Sequence, residues 1–123
     1  MQCRLPRRIG AGEKTPSEYA ITLTGTMDST NGYVTINETK YYTSQTLTVS
    51  EGATIEVFCG AGDSNAPNDI SLNGSVVAAG KGALTTSYSF VPSSNAVIDF
   101  AKNTYQSPIG GTVTYYTCAI TTE

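Results

Sequence analysis

Three groups of residues in this chain have side chains that could do chemistry: a basic segment at the start, an oxygen-rich loop near the middle and eight tyrosines. The chain contains no histidine, which removes the catalytic triads and dyads that use an imidazole as the base. General acid–base catalysis would then depend on paired carboxylates, but the carboxylates of this chain stand singly, in turns and on polar strand faces. We therefore predict that the protein is not an enzyme and that it holds no cofactor.

The basic segment is MQCRLPRRIGAGEKTPS, in which three arginines occur within the first eight residues. Residues 1–14 hold four cations against one carboxylate, a net charge of +3, so the whole-chain charge of −3 leaves −6 on the rest. Guanidinium groups form bidentate pairs with carboxylates, and Pro6 favours an extended backbone. We predict that residues 1–18 are an extended arm that docks on an acidic partner surface; a solubilising tail is the alternative. The predicted contact residues are Arg4, Leu5, Arg7, Arg8, Ile9 and Lys14.

The distribution of charge and hydropathy also excludes some partners. The acidic remainder disfavours nucleic-acid binding by the body, because phosphate contacts need lysine and arginine. No apolar run approaches the roughly 18 residues of a membrane-spanning helix, and no apolar segment follows the first arginines as it does in a secretory signal. We expect synthesis in a cytoplasm, no membrane partner and no nucleic acid bound by the body.

The oxygen-rich loop is GAGDSNAPND, residues 60–69. Asp63, Asn65 and Asp69 supply the carboxylate and amide oxygens that Ca²⁺ prefers, but their spacing does not match the EF-hand loop. Side-chain-to-backbone turns around Pro67 account for the same composition. No metal is predicted, and a calcium site at these three residues is the alternative.

The tyrosines include two adjacent pairs, Tyr41–Tyr42 and Tyr115–Tyr116. Successive side chains of a strand point to opposite faces, so each pair places one ring inside and one outside. An exposed Tyr33, together with Tyr41 or Tyr42, could stack on a sugar ring or contact a protein partner. Core filling and ordinary surface tyrosine explain the same residues.

The cysteines are Cys3, Cys59 and Cys118, which are widely spaced and include no C-x-x-C pair. Two interpretations of Cys59 and Cys118 stay open. They are buried thiols that act as small apolar side chains, or they form a disulfide, which a cytoplasmic origin disfavours. Cys3 lies in the arm and is expected to be a free thiol.

Residues 19–123 have the composition and the pattern of a β protein. Charged residues make up 14% of the chain, against about 25% in typical domains, and Thr, Ser, Gly, Asn and Tyr replace them. Apolar and polar residues alternate from Tyr19 onward, turn signals recur about every 8–12 residues, and Asn73–Gly74 is the strongest hairpin signal. We predict an all-β fold of about eight to ten short strands, as a sandwich or a small barrel. The loops at 61–69 and 103–111 are predicted to face the medium.

Two segments, YVTINETKYYTSQTLTVSEGATIEVF and ISLNGSVVAAG followed by TTSYSFVPSSNAVIDF, resemble immunoglobulin-like or PEGA-like β domains. In those domains a V-x-I-N-x hairpin precedes a V-x-x-G-x-x-I-x-V strand pair, as from Val49 to Val57 here. With its basic arm and its Thr/Ser/Gly/Asn/Tyr-rich body, the chain resembles the small accessory structural proteins of tailed-bacteriophage virions. The resemblance covers about residues 19–121 and lies in the pattern, not in a diagnostic motif.

This resemblance implies an immunoglobulin-like antiparallel β-sandwich at residues 19–123. It implies a non-enzymatic virion protein that decorates or reinforces a capsid or tail lattice. The partner would be the major capsid or tail protein of the same particle, bound by many copies or by a homo-oligomer. The alternative is a carbohydrate-binding or host-adhesion module that binds a surface glycan through Tyr33, Tyr41 and Tyr42.

Overall fold

The computed structural model describes residues 17–123, which form ten strands and no helix, so none of them forms a helix that could cross a membrane. The all-β prediction and the predicted number of strands are confirmed. Residues 1–16, and with them the predicted contacts Arg4, Leu5, Arg7, Arg8, Ile9 and Lys14, lie outside the described residues. The strands are β1 (Glu18–Gly25), β2 (Gly32–Ile36), β3 (Thr39–Tyr41), β4 (Gln45–Ser50), β5 (Ile55–Gly60), β6 (Ile70–Leu72), β7 (Ser75–Ala78), β8 (Thr85–Phe90), β9 (Ala96–Gln106) and β10 (Thr112–Thr122).

The strands form two sheets. Six of them lie in the order β4-β1-β9-β10-β6-β7, and four lie in the order β3-β2-β5-β8. Neighbouring strands are antiparallel except for β1 with β9 and β10 with β6, which are parallel. Buried side chains of both sheets form one core cluster, which is the arrangement of a β-sandwich.

The core follows from the alternation of side chains along each strand. On β5, Ile55, Val57 and Cys59 are buried, whereas Glu56 and Phe58 on the opposite face are partly exposed. The same alternation orders β1, β8 and β9, as their sequences predicted. Burial of each such aliphatic side chain contributes about 1.5–3 kcal/mol, so the facing rows of the two sheets hold the sandwich closed.

Two tight turns set the register of two hairpins. Asn73 (φ 51°) and Gly74 (φ 88°) join β6 to β7 in the left-handed conformation of a type I′ turn, as predicted. Asn37 (φ 50°) and Glu38 (φ 71°) join β2 to β3 in the same way. The left-handed conformation of Glu38 costs on the order of 1 kcal/mol, because its Cβ crowds the backbone.

The predicted loop at 103–111 is wrong in its extent. β9 continues to Gln106 and pairs with β10 as far as Thr112, so that only residues 107–111 form the loop. The Nδ2 of Asn103 donates to the Thr117 hydroxyl at 3.2 Å within this ladder. The polar composition of residues 102–106 suggested a loop, but threonine and tyrosine fit a pleated sheet once a partner strand is present.

We expect the shortening of a side chain to alanine to have different effects on the two faces of β9. Ile98 is fully buried and Val97, its neighbour, is 41% exposed. Ile98→Ala should lower the free energy of unfolding by about 2–5 kcal/mol, because it leaves a cavity in the core. Val97→Ala, the matched control, should change it by only about 0.5 kcal/mol. Urea denaturation checks both, and equal losses in the two variants would contradict the assignment of faces.

Candidate interaction surfaces

The outer face of the four-stranded sheet holds a row of stacked side chains. Tyr33 on β2 and Phe58 on β5 are cross-strand partners, with ring centroids 4.7 Å apart and planes at 17°. The Nζ of Lys40 on β3 lies 4.3 Å from the centroid of the Tyr33 ring. Because β3 and β5 flank β2 on opposite sides, Lys40 and Phe58 cover opposite faces of the Tyr33 ring. We call Lys40, Tyr33 and Phe58 the aromatic row.

The aromatic row bears on the tyrosines predicted to contact a glycan. A sugar ring stacks on an open aromatic face, and both faces of Tyr33 are covered. Lys40 is also held in place, since its Nζ donates to the Ser29 carbonyl at 2.9 Å. Tyr41 pairs with the buried Val34 and packs against the core, so it lies on the other face of the sheet from Tyr33.

Tyr42 follows β3 and is 46% exposed. The structure therefore does not bring Tyr33, Tyr41 and Tyr42 together on one face. It brings Phe58 to Tyr33 instead. Sequence patterning could place Phe58 on the outer face of β5 but could not pair it with Tyr33, since that depends on the register between two strands.

The loop at 61–69 is held by hydrogen bonds to its own chain. Asp63 Oδ1 accepts from the backbone N–H of Asn65 at 2.9 Å and from the hydroxyl of Tyr105. Asp69 Oδ1 accepts from the backbone N–H of Gly80 at 2.7 Å. Among residues 17–123, no group of three or more acidic, cysteine or histidine side chains is placed to hold a metal ion. The carboxylates of the proposed calcium set thus have separate partners.

Part of this loop turns inward, although the whole loop was predicted to face the medium. Ala66 and Asn68 are fully buried, and Asn68 Nδ2 donates to the Cys59 carbonyl at 3.0 Å. Gly80 packs directly on Asn68, and a Cβ at Gly80 would lie 2.2 Å from Asn68 Oδ1. The amide nitrogen of Asn68 thus ties the loop to the end of β5, whereas its buried Oδ1 finds no hydrogen-bond partner among the described residues.

The outer face of the six-stranded sheet holds few charges across its first four strands: Asp99 on β9 and, at the start of β1, Glu18. One row crosses these strands in register: Thr46 on β4, Thr22 on β1, Val97 on β9 and Thr121 on β10. The hydroxyls of Thr22 and Thr46 lie 3.2 Å apart. We call this surface the neutral face. It consists of Ala20, Thr22, Thr24, Thr46, Thr48, Val97, Asp99, Ala119 and Thr121, in which Asp99 is the single charged residue.

The neutral face adjoins the point where the described chain begins. A shallow hollow of about 190 Å³ on this face is lined by uncharged residues, among them Ala20, Thr22, Asn95, Val97 and Thr121, and by the carboxylate of Glu123 at its edge. The backbone N–H of Ala20 donates to Asn95 Oδ1 at 2.8 Å and closes one side of the hollow. β1 starts at Glu18, so the described chain begins close to this hollow.

The tip of the β9–β10 hairpin lies at the other end of the sandwich, because β9 runs parallel to β1 and away from Ser17. Ile109 at this tip is 96% exposed. The tip is a fixed turn, in which Gly110 N–H donates to the Ser107 carbonyl and Ser107 N–H to the Gly111 carbonyl, each at 3.0 Å. The described chain therefore begins at one end of the sandwich, and the hairpin tip lies at the other.

Titration of the Tyr105 hydroxyl tests whether its hydrogen bond to Asp63 holds the loop at 61–69. The hydrogen bond to Asp63, together with desolvation and the carboxylate charge, raises the pKa of Tyr105 to about 12. A raised folded-state pKa stabilises the protein below the unfolded pKa near 10, and this stability is lost as the pH rises through about 12. Asp63→Asn should lower the pKa of Tyr105 towards 10, and the stability of the protein should then depend less on pH between about 10 and 12.

Ultraviolet absorbance of tyrosinate against pH measures this change, and Tyr105→Phe identifies the transition that belongs to Tyr105. An unchanged transition in Asp63→Asn would show that the Asp63–Tyr105 hydrogen bond does not form in solution.

Comparisons with family models, with curated proteins and with solved structures find no match for this chain. Its function therefore has to be inferred from its own geometry. That geometry offers three outward features: the aromatic row, which is covered by its own side chains, the neutral face, which is open, and the hairpin tip. The neutral face is open, holds few charges and lies near the point where the described chain begins.

Proposed function

We propose that this protein is a non-enzymatic structural component of a larger assembly, in which its basic arm and its neutral face dock together on a partner. The observation that supports this most is the neutral face: its nine residues on four neighbouring strands carry one charge, Asp99, and Glu18 at its edge adds a second. Surfaces designed to stay in solvent are given about 25–35% charged residues, whereas the centres of interfaces are depleted of charge. A face of this composition is typical of a surface that is covered in use.

The residue types of the neutral face suit a rigid contact. Threonine and valine are branched at Cβ and have few rotamers to lose, so their ordering on binding costs little entropy. Their methyl groups bury apolar area, and the threonine hydroxyls can donate or accept hydrogen bonds across an interface. Thr22 and Thr46 are already within hydrogen-bonding distance of each other, which fixes both rotamers further.

The neutral face alone is too small for a stable interface. Four strands about 4.8 Å apart, with outward residues spread over roughly 14 Å, give on the order of 300 Å². A specific interface needs about 800 Å² on each partner. The sixteen residues before Ser17 would reach at most roughly 55 Å if extended, so the arm can supply the missing area. Docking should therefore need both parts.

The partner follows from the charge of the arm. Arg4, Arg7 and Arg8 would pair with carboxylates on an acidic lattice, such as the major capsid or tail protein of a phage particle, and many copies would line that lattice. We also propose that the sandwich is of the immunoglobulin-like type. Two sheets that face each other across one core support this assignment. The parallel pairing of β1 with β9 departs from the fully antiparallel arrangement that the sequence predicted. In such a particle the hairpin tip would point away from the docked arm.

Deletion of residues 2–14 should abolish incorporation into the native particle while the body still folds by circular dichroism. Thr22→Glu should reduce incorporation at least about tenfold, because it buries an unpaired charge at the centre of the neutral face. Ser87→Glu on the outer face of the four-stranded sheet is the matched control and should have little effect. Co-sedimentation of tagged variants with particles from the source measures all three.

Normal incorporation of the truncated chain would rule out docking by the arm, and normal incorporation of Thr22→Glu would rule out the neutral face. Binding should also weaken as salt rises from 0.1 to 1 M, since the screening length falls from about 10 to about 3 Å.

A glycan-binding module is the other candidate, and the exposed ring of Tyr42 is the observation that favours it. A glycan array or a polysaccharide pull-down tests it. Saturable binding that disappears in Tyr42→Ala would support this module; the covered faces of Tyr33 lead us to expect no such binding.

A further inference from the structure

We propose that Cys59 and Cys118 are a preformed pair that becomes a disulfide between the two sheets when the protein meets a disulfide oxidant such as oxidised glutathione. Cys59 lies on β5 of the four-stranded sheet and Cys118 on β10 of the six-stranded sheet. Both are free thiols in the structure, with 0% and 3% of their surface exposed. The first interpretation from the sequence, buried thiols, therefore describes the reduced protein, and the second describes its oxidised form.

Two consecutive residues bind the backbones of both cysteines. Asn68 Nδ2 donates to the Cys59 carbonyl at 3.0 Å, and the backbone N–H of Cys118 donates to the Asp69 carbonyl at 3.1 Å. The two sheets also come together at the bridge between Ala61, which follows β5, and Tyr115 on β10. Since both side chains are buried in the one core between the sheets, the cysteines are placed for the short Cα separation of about 4.4–6.8 Å that a disulfide needs.

Each cysteine is held by a strand on either side. Cys59 pairs with Gly32 on β2 and with Thr86 on β8. Cys118 pairs with Phe100 on β9 and with Ile70 on β6. Because each cysteine has a paired strand on both sides, its backbone is held in the sheet, and covalent joining of the two side chains should need little rearrangement.

The reaction balances with the oxidant alone. The thiolate of one cysteine attacks the disulfide of oxidised glutathione, forms a mixed disulfide and releases one reduced glutathione. The second cysteine loses its proton, attacks the protein sulfur of that mixed disulfide and releases the second reduced glutathione. The protein gives up two electrons and two protons, and the oxidant is reduced to two thiols.

The folded protein should undergo this reaction slowly. The hydrogen bond from Cys59, burial and the charge of Asp99 raise the pKa of the Cys118 thiol far above its usual range, so little thiolate forms at neutral pH. Neither sulfur is open to glutathione in the closed sandwich. Oxidation should then proceed during folding or through transient opening, and it should speed up in mild denaturant.

The expected product is a sandwich that is harder to open. A cytoplasm keeps such thiols reduced, whereas an oxidising medium outside the cell does not. A crosslink between residues 59 and 118 restricts the unfolded chain over about half of its length, which should raise the Tm by roughly 10 °C. Both thiols lie in the core and not on the neutral face, so loss of docking and loss of this pairing are separate outcomes.

The test uses the full chain with Cys3→Ala, which leaves two cysteines, purified in reducing agent. The protein is unfolded, refolded with oxidised glutathione and compared with a sample refolded in reduced glutathione. We expect a monomer lighter by two hydrogens, a peptide that joins Cys59 to Cys118, no titratable thiol after denaturation, and a higher Tm that dithiothreitol reverses. Cys59→Ala and Cys118→Ala in the same background should show no increase in Tm with the oxidant.

Two free thiols after oxidative refolding, a crosslink between chains, or an oxidised monomer with no rise in Tm would each overturn the proposal. The reduced and oxidised forms of the Cys3→Ala chain are compared directly, so the result stands even if one alanine variant fails to fold.

Discussion

The structure depends most on the ladder between β9 and β10, two strands of eleven residues that pair from Gln106–Thr112 to Ala96–Thr122. Its inward side chains, Ile98 and Ile120 among them, form the middle of the core. Its outward side chains, Val97 and Thr121, form half of the row that crosses the neutral face. Since successive residues of a strand alternate between faces, a shift of one residue would exchange core and surface along the shifted strand. The same pairing therefore determines the stability of the core, the composition of the neutral face and the position of the Cys118 thiol.

The neutral face of this ladder affects the solubility of the protein as well as its contacts. A neutral, flat, threonine-rich surface is useful as an interface but is an aggregation hazard while it stays uncovered. The acidic body offsets this hazard by mutual repulsion between copies, since residues 15–123 carry a net charge of −6 against +3 on residues 1–14. In the proposed assembly, the positive charge of residues 1–14 would add attraction towards an acidic partner.

The sequence alone was enough to predict what depends on neighbouring residues. The alternation of Ile55, Val57 and Cys59 against Glu56 gave the inner face of β5, and Asn73–Gly74 gave a type I′ hairpin. The sequence could not predict contacts between strands that are distant in the chain, because the pattern of apolar and polar residues does not specify which residues of two strands pair. The stacking of Tyr33 on Phe58 depends on the pairing of β2 with β5, and the approach of Cys59 to Cys118 depends on the loop residues Asn68 and Asp69 that bind both backbones. Residues 102–106 were predicted to form a loop for the same reason, because their polar sequence does not show that they pair with β10.

Imaging of the protein in its native assembly, at a resolution that shows side chains, tests the central claim most directly. The account predicts that the neutral face and residues 1–16 contact the partner, that carboxylates of the partner lie near the arginines, and that the hairpin tip with Ile109 faces outward. An assembly in which Thr22, Val97 and Thr121 face solvent, while the aromatic row or the hairpin tip is buried against the partner, would contradict it.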